Sequence, residues 1–247
     1  DAAMDPMSGL TSQPNLGGIV EALRGTPRDT GVGRESLARV AGYWEAVRAA
    51  YAGFESDQRA GASEVYEHEM PGGQYTNLRQ QARALGIEAR WRGVARASPG
   101  ANRLFGDIVK VTPTSKVVGD LAVYMVTNDL TPEGIVDPDK DIAFPDSVVE
   151  YFHGDLGQPY GGFPAELQAK VLKGQQPLTV RPGEVLEPID LDAARAEAEK
   201  KVRRHVSDRE LASYLMYPKV FTEFAESQRL HGDLSVLPTP VFFYGLR

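Results

Sequence analysis

Between Lys110 and Lys116 the sequence reads Lys-Val-Thr-Pro-Thr-Ser-Lys, so one short stretch carries hydroxyl and ammonium groups beside a predicted helix start. Phe105 to Val111 reads as a short apolar strand interrupted by Asp107 and Lys110, and Val117 to Thr127 repeats apolar residues at helical spacing. Pro113 breaks the pattern between them. Thr114 or Ser115 is then a natural N-cap, with free backbone N–H groups and the positive end of a helix dipole beside it. Such a place binds carboxylates and carbonyl oxygens. Thr-Pro followed by Ser or Thr also begins many ordinary helices, and taken alone the pattern favours that plainer role.

A second polar helix start lies at Pro71-Gly72-Gly73-Gln74-Tyr75-Thr76-Asn77-Leu78. Its glycines let a backbone approach a ligand closely, and Gln74 offers both a donor and an acceptor. The plain alternative is a tight turn followed by a helix over 76–85 with Thr76 as N-cap and Gly86 as terminator. Two such starts in one chain can converge on one pocket.

Other chemistries find little support. His68, His153, His205 and His231 have no metal-binding spacing with one another, and His68-Glu69 lacks the second histidine of a zinc-protease helix. His153, before Gly154, suits a helix C-terminus as an imidazolium. Gly31-Val32-Gly33 lacks the third glycine and preceding strand of a dinucleotide fingerprint, and neither a phosphate-cradling Gly-Lys-Ser/Thr nor a Gly-x-Ser-x-Gly elbow occurs. The absence of cysteine excludes disulfides, thiolate metal sites and thiol nucleophiles, and fits a reducing compartment. A net charge of −7 argues against a nucleic-acid surface, and the basic run Lys200, Lys201, Arg203 and Arg204 reads as a solvated helix face. No apolar stretch approaches a membrane span.

The elements that must position these residues are mostly helices. With 247 residues, 42% of them hydrophobic, the chain can form one large domain or two small ones. Helices are predicted over 16–23, 34–54 and 88–105, the last weakened by Pro99 and Gly100. Further helices are predicted from Pro132, over 145–152, 164–173 and 190–205, after Ser207, and over 219–227. Residues 157–163 read as a loop, and the proline-containing segment 175–188 as the best internal linker. Asp1 to Gly9 resembles the end of a buried strand running into a loop and helix, a βα unit whose remaining sheet is expected elsewhere. Val241-Phe242-Phe243-Tyr244 reads as a strand leading toward another domain.

Several stretches together resemble the carboxyltransferase domain of the biotin-dependent pyruvate carboxylases. They are Ser8-Gly9-Leu10-Thr11-Ser12-Gln13-Pro14, Glu69-Met70 with the Pro71 to Leu78 segment, and Gly106 to Asp120. The likeness continues through Phe144-Pro145-Asp146-Ser147-Val148-Val149, Leu215-Met216-Tyr217-Pro218-Lys219-Val220-Phe221 and Leu237-Pro238-Thr239-Pro240, in order along nearly the whole chain. The resemblance implies a mostly α fold: the last βα unit of a TIM (β/α)8 barrel over 1–25, a helical funnel extension over 26–235, and a strand over 236–247. It further implies transfer of a carboxyl group from carboxybiotin to pyruvate, giving oxaloacetate.

In that frame Thr112 matches a threonine relaying a proton between pyruvate and biotin, Ser115 and Lys116 match residues holding the ureido oxygen of biotin, and Gln74 matches a polar contact to the same ring. The implied divalent metal, with its carboxylated lysine and His-x-His pair, lies on earlier barrel strands outside this sequence. Implied partners are the biotin carrier domain, the rest of the barrel and further copies in a tetramer, with no nucleic acid and no membrane. The compartment implied is the bacterial cytoplasm or the mitochondrial matrix. This chain alone is expected to be inactive, and either poorly soluble or covered by a partner over residues 1–23. Alternatives are a biotin-dependent oxaloacetate decarboxylase or transcarboxylase subunit, and a noncatalytic helical assembly module.

Overall fold

A computed structural model describes residues 1–245, and helices dominate them. They are α1 (Leu16–Leu23), α2 (Arg34–Arg48), α3 (Val65–His68), α4 (Gly72–Ala84), α5 (Trp91–Leu104), α6 (Thr114–Thr127) and α7 (Pro132–Val136). There follow α8 (Asp146–His153), α9 (Ala165–Leu172), α10 (Pro182–Val185), α11 (Leu191–Val202), α12 (Asp208–Met216), α13 (Pro218–His231) and α14 (Thr239–Tyr244). The chain divides into two compact units, one of residues 1–48 and 54–185, the other of residues 49–53 and 186 onward. Their boundary at Val185 and Leu186 falls inside the proline-containing segment 175–188.

Four helix starts follow from capping chemistry. Asn15, Thr131, Asp190 and Ser207 each accept a forward backbone N–H, and Ser207 forms a full capping box with Glu210. Pro132 and Pro218 occupy first-turn positions, where the missing N–H is harmless.

Within the first unit, α6 is apolar on nearly every side and is accordingly the interior helix, burying Val117, Val118, Leu121, Ala122, Val123 and Met125. Helices α5, α4 and α8 pack around it. Pro99 stands inside α5 without ending it, and a Cβ on Gly100 would lie 3.1 Å from the Pro132 ring, so the small residue permits close packing on α7. Phe105, Tyr151, Phe152 and Phe163 form an aromatic cluster beneath the loop that follows α5. Burial pushes the Tyr151 phenol up to about 12. The second unit has its own small core of Ala198, Val206, Leu211, Tyr214 and Phe221 on α11, α12, α13 and the segment between them.

Two strand expectations are corrected, and a third, whose pairing strands are expected outside this sequence, makes a single bridge. Residues 105–111 form a turn and an extended loop, because Gly106 and Asp107 take positive φ angles of 89° and 57° and, among the described residues, no strand pairs with them. Residues 1–8 form no ladder among the described residues: Ala3 makes one isolated parallel bridge to Asn15, and Asp5–Met7 is a 3-10 turn with Pro6 in its first turn. Residues 241–244 belong to α14, since Pro240 in the first turn commits the segment to helix against the β preference of its aromatics. The expected strand over 236–247 also includes residues 246 and 247, which lie outside the described residues.

The helix expected over 34–54 tightens after Arg48 into a 3-10 stretch, Ala49–Phe54. The helix expected from Thr76 begins four residues earlier at Gly72, so Thr76 is not an N-cap; its hydroxyl donates to Gly72 O at 3.2 Å and meets the Thr11 hydroxyl at 2.7 Å.

Candidate functional site

The first turn of α6 is held from within by a buried apolar run, so the residues at its tip have a rigid base. Thr112 lies in the loop just before it, and the Thr112–Pro113 peptide bond is cis. The expected N-cap role of Thr114 and Ser115 does not hold, because both sit inside the first turn and the helix has no side-chain cap. Instead the Thr114 hydroxyl turns back, 2.7 Å from Val109 O and 2.6 Å from Val111 O, and accepts the Val111 N–H at 3.3 Å. It ties the loop to the helix. Among the described residues the hydroxyls of Thr112 and Ser115 have no hydrogen-bond partner within the chain.

Helix α4 forms the facing wall. Pro71 precedes it in extended geometry, and Gly72 is indispensable there, since a Cβ would fall 2.0 Å from Thr11 O. One turn on, the Gln74 amide nitrogen donates to the Ser115 carbonyl, linking the walls directly. The opposite amide orientation would set two acceptors against each other, so the assignment is chemically forced. Gln74 Oε1 is then buried with no partner. An unpaired buried acceptor of this kind is costly unless a ligand or water supplies a donor.

Gly119 makes this closeness possible: a Cβ on it would lie 2.9 Å from Gln74 Nε2 and 3.1 Å from a Leu78 methyl. Gly119→Ala should therefore push α4 off α6 and rotate Gln74, destabilising the packing by about 1–3 kcal/mol, as overpacking does. Local amide exchange in α4 and α6 checks this; protection equal to wild type in both helices would show that α4 yields freely.

Gln74, Thr112, Ser115 and Lys116, the four residues singled out in the sequence, line one cleft of about 560 Å³ together with Asn77, Gln81 and Lys110. The electrostatics of its two lysines differ. Lys110 is largely buried and bonds Glu69 at 2.8 Å, and that hydrogen bond and charge hold the Glu69 carboxyl below its usual range. Lys116 is 70% exposed on its side chain, 2.5 Å from Asp120, which also accepts the Ser147 hydroxyl at 2.6 Å. Lys110 thus fastens the loop to the turn before α4, whereas Lys116 retains reach toward solvent and the cleft. Glu69, Asp120 and Gly119 escaped the sequence reading, because their partners lie far along the chain or across a helix pair. For Gly119 and Asp120 the one local signal is a Gly-Asp pair inside an otherwise apolar helix.

Among the described residues no group of three or more His, Asp or Glu side chains is placed to hold a metal ion. The cleft's donor set is hydroxyl, amide and ammonium. No helix among the described residues is long and apolar enough to cross a membrane.

Comparison with known proteins follows the same segments. Residues 65–247 match the family model described as the conserved carboxylase domain. Pyruvate carboxylase of Bacillus subtilis is 48% identical over 246 residues, covering 100% of this chain and 21% of the relative, and pyruvate carboxylase 1 of Caenorhabditis elegans is 48% identical over 248 residues with the same coverages. The chain thus spans about a fifth of the length of these relatives. The solved carboxyl transferase domain from Rhizobium etli pyruvate carboxylase shares 61% identity at a TM-score of 0.93, covering 100% of this chain and 42% of that one. The same domain solved with pyruvate and biocytin matches with the same identity, coverage and TM-score.

Proposed function

The chain belongs to the conserved carboxylase domain family, and from that premise we propose that it forms one wall of the carboxyltransferase site of a pyruvate carboxylase, converting pyruvate to oxaloacetate. One observation supports this above others: Gln74, whose Oε1 is buried and unpaired, lines a cleft that also carries the unpaired Thr112 and Ser115 hydroxyls and the Lys116 ammonium, held among the described residues by Asp120 alone. That set suits the ureido ring of biotin, which presents N–H donors and a carbonyl acceptor together.

Carboxybiotin supplies the carboxyl group, and a basic ring nitrogen once that group has left. Gln74 Oε1 accepts a ring N–H, while Ser115 Oγ and Lys116 Nζ donate to the ring oxygen, where negative charge is best stabilised away from water. To reach it, the Lys116 ammonium exchanges Asp120 for the ring oxygen, and the Ser147 hydroxyl remains with the carboxylate. Thr112 Oγ1 accepts a proton from the methyl group of pyruvate as it gives its own to the ring nitrogen. A hydroxyl does both without holding charge, so its pKa need not move.

Residues 1–25 supply the last βα unit of a (β/α)8 barrel, with partner strands from the remaining barrel pairing the backbone around Ala3. Residues 26–235 form the helical extension, and residues from 236 lead on toward the next domain. The divalent metal belongs to the rest of the barrel and no step of this chain is routed through it. By itself the chain is inactive, lacking the opposite wall.

In the full-length enzyme Lys116→Gln should lower carboxyl transfer roughly tenfold, the weight of one charged hydrogen bond, while ATP-driven carboxylation of biotin continues unchanged. Steady-state assays of the two half-reactions decide it. An unaltered transfer rate would leave Lys116 as a helix-start charge paired with Asp120.

A further inference from the structure

The turn that leads into α4 contains a titratable group the reaction does not use. His68 ends α3 and is 7% exposed, and its Nδ1 accepts the buried Met70 N–H at 3.0 Å. An accepting Nδ1 fixes the neutral tautomer with its proton on Nε2. The ring packs on Tyr75 at 5.0 Å, whose hydroxyl accepts the Trp91 indole N–H at 3.2 Å. Between His68 and Met70, Glu69 takes a left-handed φ of 53° and reaches Lys110 in the loop ahead of Thr112. One short turn therefore governs both where Gln74 starts its helix and where the opposite loop is fastened.

We propose that His68 is a positioning residue for the cleft: through its neutral imidazole it holds the turn over 68–71, and thereby Gln74 and Lys110, in the geometry that receives the biotin ring. This rests on the reading of the cleft given above. Protonation of Nδ1 would turn an acceptor into a donor facing the Met70 N–H and release the turn.

The charges around the ring come from three directions. Glu64 and Glu67 on its own helix favour the imidazolium, Lys110 from the loop opposes it, and Arg92 and Arg96 of α5 line the adjoining pocket with them. Burial outweighs the carboxylates and pushes the His68 pKa below its ordinary 6.5. A histidine depressed in the folded state contributes its full stabilisation above the unfolded value of about 6.5 and loses it as pH falls through the lower folded value. The turn is secure at neutral pH and loosens in acid.

The test uses the full-length enzyme, assayed for oxaloacetate decarboxylation with added biocytin as the soluble carboxyl acceptor. His68→Leu removes the acceptor, whereas His68→Asn keeps an oxygen near the Nδ1 position that does not titrate. At pH 7.5, His68→Leu should raise the KM for biocytin about fivefold and leave the KM for oxaloacetate within about twofold, since only one wall is displaced. His68→Asn should restore the biocytin KM, and its rate relative to wild type should rise as pH is lowered below 6.5 and the wild-type histidine protonates. An unchanged biocytin KM in His68→Leu, or equal increases for both substrates, would overturn the role. Should His68→Leu fail to fold, His68→Gln takes its place, its amide oxygen falling nearer the Nε2 than the Nδ1 position, and a biocytin KM equal to that of His68→Asn would overturn the role. A wild-type enzyme without biocytin-dependent decarboxylation would instead overturn the reading of the cleft, and the role of His68 with it.

Discussion

Phe105→Ala should loosen the first unit by about 3–5 kcal/mol, the range for truncating a fully buried phenylalanine to alanine. Phe105 has 0% exposure and meets Tyr151 edge-on at 5.1 Å and Phe152 at 5.6 Å, while Tyr151 and Phe163 close the cluster at 5.2 Å. The loss has two parts, the transfer of the ring from a dry interior and the cavity that rigid aromatic neighbours cannot collapse to fill. Because Phe105 stands directly before the loop that carries Thr112, the damage reaches the cleft. Local amide exchange within the full-length enzyme is the suitable measurement, since a multidomain chain does not unfold in one step. Protection in α5, α6 and α8 should fall by about 10²- to 10³-fold, and protection within a few-fold of wild type would show that the cluster is not the keystone of this unit.

How far this architecture can be read from the sequence differs by element. Capped and proline-started helices such as α7, α12 and α13 are legible, because Thr131, Ser207 and Pro218 act through local hydrogen bonding and fixed φ angles. Segments whose state depends on distant partners are not. The residues around Ala3 and the stretch 105–111 have strand-like composition, yet a strand is a pairing, and composition does not show whether a neighbour is present. Val241 to Tyr244 errs in the opposite sense: the first-turn proline carried more weight than three aromatics.

For the cleft, residue types mark two polar helix starts, and the family resemblance selects Gln74, Thr112, Ser115 and Lys116 within them, but neither shows how the walls are joined. The bond from Gln74 to Ser115 O, the Glu69–Lys110 pair and the room provided by Gly119 all depend on contacts across helices. Thr114 shows how local capping logic misleads. Its hydroxyl has two loop carbonyls within reach and takes them in preference to the helix end.

The heaviest consequence falls on Thr112. Its hydroxyl has no partner within the chain among the described residues, so replacing it with alanine removes no structural bond, and its exposure makes the packing loss small. Everything lost on substitution is then chemical. On the function proposed above, the proton of pyruvate's methyl group and the ring nitrogen that receives it would have no relay without the hydroxyl, and general acid–base groups of this kind contribute about 10²–10⁴-fold. On the same proposal, biotin carboxylation belongs to a site outside this chain and needs no such relay. The decisive measurement is the pair of half-reaction rates in full-length Thr112→Ala: oxaloacetate formation lowered at least about 10²-fold with ATP-driven biotin carboxylation at its wild-type rate is the predicted result. Near-normal oxaloacetate formation would contradict the proton relay, and equal loss of both half-reactions would show that Thr112 supports the fold and not the transfer.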